Sequence, residues 1–239
     1  MSLRIAMWSG PRNMSTTMMR SFGSRPDTIC IDEPFYAAYL KASGLVHPMQ
    51  DEIMASQSSD PSIVADKMRA SDPDHDIIYQ KHMTHHMVDA LPRDWMSEVT
   101  NVFLIRHPAR VLRSYARKME TVSLEATGFP QHLSLYEHAR QQSGQTPIVI
   151  DSDTILADPP AALKRLCQAL QIDWDNQMLS WTAGPKPEDG AWAPHWYDSV
   201  WASTGFGPPA KDLPTLSADL QVLCDDAMAI YETLKETAI

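Results

Sequence analysis

Apolar residues recur along this chain in two rhythms. Short unbroken runs at residues 4–9, 28–31, 76–81, 99–105 and 147–151 have the length of buried strands, and the fourth of these is the most strand-like. Between the runs, apolar positions take a helical spacing. They do so behind Thr17, from Pro34 through Leu40, over 63–69, after Pro108, across 118–144 with a break at Gly128-Phe129-Pro130, and over 161–170. In the last of these, Leu163, Leu166, Cys167 and Leu170 make one core-facing stripe. Strands alternating with helices predict an α/β fold around a mainly parallel sheet.

Two segments fall outside this rhythm. Residues 42–76 are polar and rich in Ser, Asp and Met, and they predict loops with one or two helices. Long strand-to-helix connections tend to carry function, so this stretch is expected to face a substrate. Residues 174–214 carry Trp181, Trp192, Trp196 and Trp201 among prolines and glycines, without a clear period. So much aromatic surface predicts a segment wrapped on the core or lining a pocket, with 205–211 as a loop that covers a ligand. Residues 217–237 then form a final amphipathic helix. No repeat or linker divides the 239 residues, and one domain spanning 1–239 is expected.

Composition narrows the choices. A hydrophobic content of 44% and a charged content of 21% describe an ordinary globular protein. The net charge of −10 argues against a nucleic-acid partner, so a polyanionic small ligand would have to be met by locally gathered basic groups. Cys30, Cys167 and Cys224 are far apart and lack metal-ligand spacing, as reduced thiols of a cytoplasmic protein would. The amino terminus runs into a strand without signal-peptide character, and no apolar run approaches the roughly 20 residues of a membrane span. A cytoplasmic location with no membrane partner is expected.

The candidate chemistry gathers at strand ends. The first strand passes into Gly10-Pro11-Arg12-Asn13-Met14-Ser15-Thr16-Thr17, a turn that opens a helix on hydroxyl residues. Such a helix start presents free backbone amides to a phosphate or sulfate. Its length matches the Walker A pattern G-x-x-x-x-G-K-[ST], but Thr16 stands where the lysine belongs. That loop is poorly equipped for ATP hydrolysis, yet it can hold an anion through amides, Thr16 and Thr17, with Arg12 adding charge. A plain capped βα turn is the alternative. Asp32 and Glu33 end the second strand, on the sheet edge where open α/β folds place ligands. Lys81 and His82 end the third. His82, His85 and His86 have helical i, i+3, i+4 spacing, but no further motif completes a metal site, and none is expected. Arg106 ends the fourth strand and Ser114 lies eight residues on, in a helix with Arg110, Arg113 and Arg117, a basic cluster in an acidic chain.

The lysine-less loop, the Arg106/Ser114 pair and the block from Ile148 to Leu170 together resemble the sulfotransferase family over roughly residues 3–175. The resemblance implies a three-layer α/β/α sandwich of P-loop NTPase-like type and sulfuryl transfer from 3′-phosphoadenosine 5′-phosphosulfate (PAPS), without a metal. The acceptor would be a hydroxyl or amine of a small metabolite. It also implies roles. Arg12, Asn13, Met14, Ser15, Thr16 and Thr17 would hold the 5′-phosphosulfate, and Arg106 and Ser114 the 3′-phosphate. Arg12 would steady the leaving group, and the base would be Glu33, followed by proline as in some relatives, or His82. Two departures stand out: Arg12 comes one position earlier than the family's basic residue, and Ser15 replaces a glycine. The other readings are a nucleotide-binding module that has lost its chemistry and a P-loop phosphotransferase. A homodimer is compatible with the sequence. The chain also resembles a domain labelled by analogy with branched-chain aminotransferases, without a pyridoxal phosphate signature.

Overall fold

The computed structural model describes residues 2–119, 121–209 and 212–239. The chain runs β1 (Leu3–Ser9), α1 (Ser15–Gly23), β2 (Thr28–Asp32), α2 (Tyr36–Ser43), α3 (Gln50–Ser56), α4 (Pro61–Arg69) and β3 (Ile77–Met83). It continues through β4 (Thr100–Ile105), α5 (Pro108–Tyr115), α6 (Leu124–Thr127), α7 (Phe129–Ser143), β5 (Ile148–Asp151), α8 (Ser152–Ala157) and α9 (Pro159–Leu170). Two four-residue helices, α10 (Ala193–Trp196) and α11 (Asp198–Trp201), punctuate the aromatic tail before α12 (Ala218–Lys235).

All five strands are parallel, in the order β2-β3-β1-β4-β5. Both faces are covered, so the strands are apolar without alternation. One core packs Ile5, Met7 and Tyr79 against Met18, Met19 and Phe22 of α1 and Leu163, Leu166 and Leu170 of α9. The other packs Ala6, Trp8 and Phe103 against Val64 and Met68 of α4, Leu135 and Tyr136 of α7, and Tyr231 and Leu234 of α12. This is the expected α/β/α sandwich.

One boundary differs from the sequence reading. β3 runs through Lys81 and His82 to Met83, because it lies between β1 and β2 and its end pairs Ser9 with Met83. The helical spacing expected of His82, His85 and His86 is therefore absent: His82 belongs to a strand, and only the other two lie on the 3₁₀ turn Thr84–His86. Among the described residues no cluster of His, Cys, Asp and Glu is suited to a metal. No described helix is long and apolar enough to cross a membrane. Ala210 and Lys211 of the expected covering loop lie outside the described residues.

Candidate active site

The carboxyl ends of β1 to β4 open onto a cavity of about 730 Å³. At its first wall, β1 hands over to α1 through a turn with little room. A Cβ on Gly10 would stand 2.5 Å from the Thr127 carbonyl oxygen, so the position admits only glycine without rearrangement. Arg12 and Met14 both adopt left-handed backbone, with φ of 66° and 68°. That conformation is costly for non-glycine residues and is typical of ligand-holding loops. No side chain caps α1, and its first internal bond is Met18 N to the Met14 carbonyl. The amides of Ser15, Thr16 and Thr17 thus have no helical acceptor. These three residues line the cavity beside Arg12 and Met14.

Asn13 does something else. It is buried, its Nδ2 donates to the Leu104 carbonyl at 3.3 Å, and its own carbonyl lies 2.9 Å from Ser152 Oγ. Its side chain ties the loop to the sheet and does not line the cavity, which corrects the ligand-binding role expected for it.

Arg106 and Ser114 converge on the same wall. Arg12 Nε donates to Ser114 Oγ at 2.9 Å, and Arg106 Nη1 donates to the Arg12 carbonyl at 2.7 Å. Arg106 Nε is buried without a partner. Burial pushes both guanidinium pKa values down, and among the described residues neither arginine pairs with a carboxylate within ion-pair distance. The rest of the basic cluster is spent elsewhere: Arg110 Nε donates to Asp153 at 3.0 Å, and Arg113 and Arg117 are exposed.

The opposite wall is acidic and internally bonded. Register pairs Asp32 with Lys81, and Glu33 follows with a left-handed φ of 39°. Lys81 Nζ, 1% exposed, donates to Asp32 Oδ1 at 2.8 Å, Glu33 Oε1 at 2.5 Å and Tyr197 Oη at 2.6 Å. Tyr197 in turn donates to Asp32 Oδ2 at 2.6 Å. Burial drives the Glu33 carboxyl up to about 6, with Lys81 opposing that rise and Asp32 adding to it. The two carboxylates hold the Lys81 pKa well above its ordinary value despite burial.

Aromatic rings complete this wall. His86 stacks on Tyr36 at 4.3 Å and on Tyr39 at 4.8 Å, and Tyr36 Oη lies 2.9 Å from His47 Nδ1. Burial lowers the pKa of His47, His85 and His86, bringing His85 to about 3, so these imidazoles are neutral at pH 7. His82 points the other way. Strand alternation sends it to the opposite face from Lys81, where it stacks on Trp8 at 4.4 Å and its Nε2 meets Gln80 at 3.1 Å. Fully buried, with its pKa lowered to about 3, it does not line the cavity and cannot serve as the base.

The sequence reading located Arg12, Ser15, Thr16, Thr17, Glu33, Arg106 and Ser114, all of which line this cavity, and it placed Met14 there too. It named Trp192 only as part of a tail wrapped on the core or lining a pocket and His86 only in a histidine spacing, and it gave no role to Tyr197. The wealth of aromatic residues in the tail was the available signal, but no spacing rule connects residue 197 to residue 32.

Comparison with known proteins agrees with the geometry. A family model described as a sulfotransferase domain matches residues 3–238. Two curated proteins of Arabidopsis thaliana, Branched-chain-amino-acid aminotransferase-like proteins 2 and 1, are 36% and 37% identical over 231 residues. These matches take in 97% of this chain but 41% of each relative, so the chain spans about two-fifths of their length. Among solved structures, a sulfotransferase domain from the Synechococcus PCC 7002 olefin synthase superposes with a TM-score of 0.66 at 16% identity, covering 97% of this chain and 94% of its own. A sulfotransferase from Alicyclobacillus acidocaldarius superposes at 0.55 with 11% identity, covering 100% and 98%. Likeness at such identity is a likeness of fold.

Proposed function

The chain belongs to the sulfotransferase domain family, and from that premise we propose that it moves a sulfuryl group from PAPS to a hydroxyl or amine of a small molecule. One observation carries the reading: two desolvated guanidiniums, without carboxylate partners among the described residues, face a cavity at an uncapped helix start. Leaving cations so placed is costly unless an anion completes them.

The residues present fit the donor. The amides of Ser15 to Thr17 and the hydroxyls of Thr16 and Thr17 would hold its 5′ end, and Arg106 and Ser114 the 3′-phosphate. When bound, PAPS supplies an activated sulfuryl group. Sulfuryl transfer is largely positioning and charge stabilisation, which these groups provide by fixed geometry. Arg12, bonded to Ser114, would steady the charge that grows on the leaving phosphate. Glu33 Oε2, which accepts no hydrogen bond among the described residues, would take the acceptor's proton.

Cations cluster on the donor wall, while the acceptor wall holds Tyr36, Tyr39, Trp192, Trp196 and neutral imidazoles. That surface suits an acceptor with an uncharged apolar body.

Pyridoxal chemistry does not fit this cavity. An aldimine lysine must offer a neutral amine, whereas Lys81 is held as an ammonium by two carboxylates. The other lysine of the lining, Lys118, lies 3.7 Å from Asp198.

Calorimetry with adenosine 3′,5′-bisphosphate beside ATP tests the donor assignment. The bisphosphate should bind more tightly than ATP, and Arg106→Ala should weaken it by about 2–4 kcal/mol. Tighter binding of ATP would overturn the reading in favour of a phosphotransferase.

A further inference from the structure

The acidic wall contains two carboxylates, yet only Glu33 lines the cavity. Counting hydrogen-bond valences shows how they differ. Lys81 has three N–H groups, and all are used, on Asp32 Oδ1, Glu33 Oε1 and Tyr197 Oη. The Tyr197 oxygen is also saturated: it donates to Asp32 Oδ2 and accepts from Lys81 and from Trp192 Nε1 at 3.1 Å. Asp32 Oδ2 takes a further donor, the Gly190 amide at 3.1 Å. Asp32 therefore has both oxygens occupied, by three donors in all. Among the described residues Glu33 Oε2 takes no hydrogen-bond donor, and His86 Nε2 stands 3.9 Å away.

Two carboxylates and one ammonium leave the cluster with one negative charge, room for a single proton. On Asp32 that proton would be crowded among three donors; on Glu33 Oε2 it meets none. We propose that Tyr197, carried by the aromatic tail, is the positioning residue that holds Lys81 against both carboxylates and thereby sets how readily Glu33 takes up that proton. The purpose of that proton rests on the sulfuryl-transfer reading; its destination rests on the geometry alone.

The tail is fastened well enough to do this. Arg20 of α1, buried, donates to Asp189 at 2.7 Å and lies 3.4 Å from Glu188. Asp189 also accepts from Trp201 Nε1 and from the Lys186 amide, each at 2.9 Å. The helix that opens on the anion loop thus clamps the segment that delivers Tyr197. Glu33 is faced by Asp32 from β2, Lys81 from β3, His86 from the 3₁₀ turn, Tyr36 from α2 and Tyr197 from the tail. Of these, Tyr197 alone bonds both Lys81 and Asp32. Without its hydroxyl, Asp32 loses its shortest donor and draws Lys81 away from Glu33. Less of the ammonium's field then opposes the burial that raises the Glu33 pKa.

The test is a carboxyl ¹³C NMR titration of the glutamate-labelled full chain, with the Glu33 signal assigned by its loss in Glu33→Gln. In Tyr197→Phe the Glu33 midpoint should rise from about 6 by roughly half a unit or more. Tyr36→Phe removes a hydroxyl bonded to His47 and should leave the midpoint in place. An unchanged midpoint in folded Tyr197→Phe would overturn the assignment and leave Tyr197 a packing residue. If that variant does not fold, Trp192→Phe decides: loss of the indole donor to Tyr197 should give a smaller rise, and no rise would overturn the assignment. The titration needs no turnover, so a failed sulfuryl-transfer reading would appear separately, as absent bisphosphate binding with the midpoints still moving as described.

Discussion

The two walls of the cavity handle charge in opposite ways. On the donor wall, Arg12 and Arg106 are brought together with one hydroxyl and one carbonyl between them and no carboxylate partner. On the acceptor wall, Lys81 is saturated by two carboxylates and a phenol, and one carboxylate oxygen is left open. On the proposed reading the first is a binding site that an anion would complete. The second is complete in itself and keeps one place for a proton. Removing the cation should therefore damage affinity at one wall and the fold at the other.

The largest expected effect is on turnover. Glu33→Gln should lower the rate about 10²–10⁴-fold while bisphosphate affinity stays near wild type, measured by sulfuryl-transfer kinetics beside calorimetry. A loss of affinity comparable to the loss of rate would merge the two walls into one site. The wild-type rate should rise with pH through about 6, as Glu33 loses its proton. Stability carries the opposite sign. A carboxyl raised from 4.5 to about 6 contributes fully below 4.5, and that contribution is lost as pH rises through 6. Glu33→Gln should accordingly gain stability relative to wild type across that window, as melting temperatures at successive pH values would record.

Next in size is Lys81→Met, which strands two buried carboxylates and should cost about 3–5 kcal/mol in urea denaturation. Arg106→Ala, by contrast, removes a desolvated cation that has no carboxylate within ion-pair distance among the described residues and should leave the unfolding midpoint nearly unchanged. Equal destabilisation by the two variants would erase the comparison. The smallest effect sharpens it: Arg113→Ala lies on the exposed side of α5 and should change both stability and bisphosphate affinity by less than about 0.5 kcal/mol.

The donor wall was legible in the sequence because its parts are local. A strand, a turn of fixed length and a helix start bring Arg12, Thr16 and Thr17 together, and a second strand-to-helix turn fixes Arg106 relative to Ser114. Parallel strands then align both turns on one edge. Asn13 was misread for a local reason too. The loop supplied the right residue count, but left-handed backbone on either side turned that side chain to the sheet. His82 was misread because the strand continued two residues past the expected end, and alternation sent Lys81 and His82 to opposite faces.

What the sequence determined by itself was the order of strands and helices, the sheet edge on which the candidate residues gather, and the turn from β1 into α1, since each follows from periodicity and spacing along a short stretch of chain. Only the tertiary structure decided the acceptor wall. Asp32, Lys81, Gly190, Trp192 and Tyr197 meet across up to 165 positions of sequence, where no periodicity reaches. Their hydrogen bonds form because burial removes water as a competing partner, and burial is a property of the folded whole.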